Sequence, residues 1–75
     1  MEQVWWFRVP NAEVWFVQAV LTDAEGAAVV SLGRREEHAS IISVLFDSST
    51  VGEVAPLVDY LVTAHRIERI EDVAL

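Results

Sequence analysis

Six segments in the order βαββαβ predict an α+β sandwich, a four-stranded antiparallel sheet with two helices on one face. Three observations carry this. Four runs are rich in aromatic and β-branched residues, two stretches repeat their apolar residues with a 3.6-residue period, and each helical stretch lies between two strands.

Gln3 to Val9 is the first strand, stopped by Pro10, which cannot donate to a ladder and pushes Val9 toward extended geometry. From Pro10 to Ala24 the period changes: Val14, Val17, Val20, Leu21 and Ala24 share one side of a helix, with Asn11 or Pro10 at its start and Gly26 past its end. Ala27 to Leu32 and Ala39 to Phe46 are β-like runs joined by Gly33-Arg34-Arg35-Glu36-Glu37-His38, a polar connection suited to a hairpin tip. Asp47-Ser48-Ser49-Thr50 offers helix caps, and Thr50 with Glu53 fits a capping box. Val54, Leu57, Val58 and Leu61 form the apolar side of the second helix, opposite Asp59, Thr63 and Arg66, and Pro56 places its regular start near Gly52 or Glu53. Ile67 to Val73 is a short edge strand, bulged because its apolar residues recur every third position. Right-handed crossovers then give the ferredoxin-like sandwich, a single domain over residues 1–75.

The 75 residues contain no cysteine, so neither a disulfide framework nor a thiolate metal site holds the fold. Twelve acids against five arginines and no lysine give a net charge of -7, which repels phosphate backbones and anionic lipid. Nucleic acid is therefore not expected as a partner. No apolar run approaches the roughly 18 residues of a membrane span, and Met1-Glu2-Gln3 carries an acid where a secretion signal needs basic residues, so a cytoplasmic location without membrane contact is expected.

Several apolar residues have no partner in this fold. Strand alternation puts Trp5, Phe7 and Val9 on one face of the first strand and Val4, Trp6 and Arg8 on the other. The third strand is apolar on both faces too. Two helices cover one face, so Val4, Trp6, Val29, Ile41 and Leu45 are left on the second, and Trp15 and Phe16 lie off the core stripe of the first helix. Burying about 300 Å² of such surface contributes on the order of 7 kcal/mol before association costs, so a homo-oligomer, a dimer or larger, is expected.

Residues able to carry chemistry are few. His38 with Glu36 and Glu37 reads as a solvated hairpin tip, since three adjacent residues on one turn do not close a metal shell. His65 sits where a cation favours the end of the second helix. The serines lack a histidine and carboxylate in any nucleophile motif, and Asp47 is better explained as a helix cap than as an acid catalyst. No metal, cofactor or catalytic residue is expected. Arg8-Val9-Pro10-Asn11-Ala12 has more specificity: free N–H groups at a helix start attract anions, although Asn11 as the cap is the stronger reading.

The βαββαβ order, the length and the Val9-Pro10-Asn11 turn leading into Val14, Val17 and Leu21 make the chain resemble ACT-like regulatory domains, more narrowly small bacterial stand-alone ACT-like or ferredoxin-like domains. The resemblance implies that Val9, Pro10, Asn11 and Ala12 bind an amino acid or other small effector, across a dimer interface, to control a separate enzyme. That family's turn reads Asp-x-Pro-Gly; here Pro10 matches, while Arg8 and Asn11 hold the Asp and Gly places. The leading expectation is a non-enzymatic, oligomeric small-ligand-binding or regulatory domain. Two alternatives are a structural or docking module using the apolar sheet face or an edge strand, and a small dimeric α+β barrel enzyme with a pocket lined by Trp6, Ile41 and histidines.

Overall fold

A computed structural model describes residues 1–23, 28–65 and 67–71. The elements are β1 (Glu2–Pro10), a 3-10 turn (Asn11–Glu13) running into α1 (Val14–Thr22), β2 (Ala28–Arg35), β3 (Ala39–Asp47), a second 3-10 turn (Ser48–Thr50) running into α2 (Val51–His65), and β4 (Glu68–Ile70). The sheet is antiparallel, in the order β2-β3-β1-β4. This is the ferredoxin-like arrangement the sequence predicts.

One face of the sheet and the inner sides of both helices make the core. Phe7 and Val9 of β1, Ile42, Val44 and Phe46 of β3, Val17 and Leu21 of α1, and Val54, Val58 and Leu61 of α2 are buried together. Trp5 closes this layer edge-on against Phe46, with Arg69 of β4 laid over its ring. Among the described residues no helix lies on the other sheet face.

Several boundaries differ from expectation. Helix α2 begins at Val51 and holds Pro56 inside it. The 3-10 turn ahead of α2 adds a tight lead-in, and its cap is Asp47, whose carboxylate accepts from the Ser49 N–H at 2.9 Å and from the Ser49 hydroxyl. The Met1 amino group donates to the same carboxylate. These bonds to the charged form, that of the Ser49 hydroxyl foremost, hold the Asp47 carboxyl well below the usual carboxylate range. Strand β2 runs three residues past Leu32, with a register shift between Leu32 and Arg34 that places the bulge at Gly33. Ala24, Gly26, Ala27, Arg66 and Val73, to which the sequence gives roles, lie outside the described residues.

Candidate functional site

Pro10 ends β1 with an extended backbone and stands as the residue before the helical turn, where its side chain offers no acceptor to the first-turn N–H groups. Asn11, expected to cap α1, does not. Its Nδ2 donates to the main-chain oxygens of Glu36 and Glu37, both at 3.1 Å, while its Oδ1 accepts from the hydroxyl of buried Ser40. The Asn11 N–H donates to the His38 oxygen at 3.1 Å. The reason is topological. Pro10 and Ala39 are register partners, so the hairpin tip lies beside the turn and its unpaired carbonyls outcompete a local cap.

Glu13 faces the far end of α2. His65 lies between its carboxylate and the Tyr60 phenol, with Nδ1 3.2 Å from Glu13 Oε2 and Nε2 3.1 Å from the Tyr60 hydroxyl. The imidazole ring also rests on Phe16, centroids 4.4 Å apart. Two protonation states satisfy this arrangement: a neutral ring that donates from Nδ1 and accepts the phenol proton, and an imidazolium that donates at both nitrogens. Phe16 is therefore half-buried, packed on His65 and on the core, where the sequence places it outside. Trp15 beside it is 71% exposed, as expected.

Between the turn and this helix end opens a cleft of about 300 Å³, lined by Pro10, Ala12, Glu13, Ala64 and His65. Two of the four residues singled out at the turn, Pro10 and Ala12, form its wall. Val9 is fully buried in the core and Asn11 is committed to the hairpin tip, so neither lines the cleft. Glu13 Oε1 has no protein partner among the described residues, and the three apolar walls leave this oxygen and the His65 pair as the polar groups of the site. Sequence reasoning missed Glu13 altogether, because its partner is 52 residues away and no local motif joins them.

The uncovered sheet face holds the remaining candidates. Val4 and Val29 are 47% and 59% exposed, and Trp6 and Leu45 are half-buried by neighbours. Ile41 is the correction: it is 1% exposed within the single chain. Its cross-strand neighbours are Arg8 and Arg34, and Glu36 holds both, 2.9 Å from Arg34 and 4.0 Å from Arg8, while Glu68 stands 3.5 Å from Arg8. The aliphatic stems of the two arginines thereby cover an isoleucine that alternation alone leaves in water.

His38 is exposed at the hairpin tip beside the Glu37 carboxylate, a solvated tip as read from the sequence. Among the described residues no group of three metal-ligating side chains gathers, and no helix is long and apolar enough to cross a membrane. Compared with known family models, with curated proteins and with solved structures, the chain matches none.

Proposed function

We propose that the chain is a non-enzymatic, oligomeric domain that binds a small amine-bearing molecule, of which an amino acid is the leading candidate, in the cleft between the Pro10–Glu13 turn and the end of α2. The observation that carries this is the Glu13 carboxylate. One oxygen is anchored by His65 and the other has no protein partner among the described residues, above apolar walls of Pro10, Ala12 and Ala64. An ammonium group suits that oxygen, an aliphatic stem suits the walls, and the net charge of -7 attracts a cation. The volume lies at the lower end for ligand sites, which favours a molecule of few heavy atoms. A carboxylate on the ligand would meet the first-turn N–H groups of Ala12 and Glu13, to which Pro10 offers no side-chain acceptor.

The test is a thermal-shift panel of amino acids and simple amines. At tenfold excess over Kd, binding to the folded state adds about 1.4 kcal/mol, which raises the melting temperature of a domain this size by about 5–10 °C. Glu13→Gln should keep the fold and abolish the shift. No response to any member of the panel at millimolar concentration ends this reading. Ile41, one of the residues the barrel-enzyme alternative uses, is 1% exposed within the single chain, which favours the binding reading.

A further inference from the structure

The uncovered face of the sheet is polarised along its strands. Glu2 and Asp47, register partners across β1 and β3, stand at one end. Val4, Leu45 and Val29 form the next cross-strand row, and Trp6, Ser43, Ser31 and Ile70 the row after it. Arg8, Ile41 and Arg34 close the other end, with Glu36 paired to both arginines and Glu68 beside Arg8. Among the described residues the two middle rows contain no charge. Resting on the reading that the chain is oligomeric, we propose that a second copy covers this face. The two-fold axis lies between the two sheets and runs across the strands, so that the Glu2 end of each copy meets the Arg8 end of the other.

Charge selects both the partner and its orientation. Other surfaces of the chain carry exposed acids, Glu37 at the hairpin tip and Glu53 and Asp59 on α2, and a copy with net charge -7 is repelled there. On the sheet face the described middle rows are neutral, and the arginines gather at one end with Glu36 and Glu68 paired to them. A two-fold axis along the strands would stack Glu2 on Asp47 of the other copy at both places where they meet, four carboxylates in one layer against the two Met1 amino groups that pair with Asp47. The axis across the strands instead sets Glu2 over Arg8 and brings Val4 of each copy against Trp6 of the other.

The area suits a small interface. Strands of 9, 8, 9 and 3 residues at about 3.3 Å per residue and about 4.8 Å spacing span on the order of 450 Å² in projection. Accessible area exceeds projected area, and a standard interface takes about 800 Å² from each partner. The chain is also a slab, 17 Å thick against 35 and 26 Å, as expected for one sheet and one helix layer with its second sheet face bare.

Light scattering of the full chain at micromolar concentration should give twice the chain mass. Val29→Asp and Ser31→Asp both replace exposed, outward-facing residues on the edge strand, so the protomer should keep its circular dichroism while the dimer dissociation constant rises about a hundredfold or more. If the wild type is a monomer, the oligomeric reading falls and this proposal with it. If the wild type is a dimer and both variants dimerise as tightly, the oligomer stands and the sheet face is not its interface. The orientation has its own test, because the chain has no lysine and Arg8→Lys introduces the sole side-chain amine. Carbodiimide should then join position 8 to Glu2 in covalent dimers. Within one chain these positions are about 20 Å apart along β1, too far for a zero-length link, so that cross-link arises only between copies. Links to Glu36 and Glu68 beside position 8 form within one chain and do not count; a variant that still dimerises but is never joined from position 8 to Glu2 overturns the orientation.

Discussion

Asn11 does the work of several residues, and its loss should be felt well beyond the turn. It supplies both amide donors to the hairpin tip and the acceptor for the buried Ser40 hydroxyl. Asn11→Ala leaves that hydroxyl unsatisfied and two carbonyls to water, so a destabilisation of about 1–3 kcal/mol is expected in denaturant melts. Asn11→Asp, which keeps the acceptor and removes the donors, should recover part of it. Asp47 gives a pH signature. Its folded carboxyl titrates well below the unfolded value of 3.8, so it binds fewer protons when folded, and its stabilisation is complete at neutral pH and lost as pH falls below about 4. Asp47→Asn keeps a capping acceptor without the charge. The gap in melting temperature between wild type and this variant should be widest at neutral pH and shrink through the acid range; a constant gap would mean that the charge is irrelevant.

At the scale of elements, the sequence was legible wherever pattern and punctuation agreed. Pro10 ends β1 at the expected place because the ring removes the donor a longer strand needs, and the Val54, Val58 and Leu61 spacing marks the inner side of α2. Pro56 misled, because the expectation read it as a barrier near the helix start. It removes one donor, and the 3-10 turn capped by Asp47 starts the helix ahead of it. Gly52 sits in the first turn of α2 with open space around the position of a Cβ, so Gly52→Ala should stabilise by about 0.5–1 kcal/mol through lower unfolded-state entropy. The candidate site was only half readable. Pro10 and Ala12 are marked by the turn, whereas Glu13 meets His65 only after α1 and α2 pack side by side, and the cover over Ile41 needs a hairpin bulge that turns Arg34 onto the outer face.

Across the whole molecule, the charge balance and the slab shape act together. On the proposed packing, a net charge of -7 spread over one sheet and one helix layer keeps copies apart except on the neutral middle rows of the open sheet face. Salt should therefore tighten self-association by screening the overall repulsion, up to the point where the Glu2 and Arg8 ends stop attracting. Sedimentation at several ionic strengths checks this: the association constant should rise from low salt to about 0.15 M and then level off. A steady fall from the lowest salt upward would mean that attraction between charged ends outweighs the net repulsion.

Asn11 also stands between the two surfaces that matter most. Its neighbours Pro10 and Ala12 wall the cleft, while the tip it grips carries Glu36, the clamp that folds Arg8 and Arg34 down over Ile41. On the ligand and dimer proposals, a ligand that moves the backbone at Asn11 also pulls on this clamp, and by reciprocity the packing of a second copy acts back on the notch.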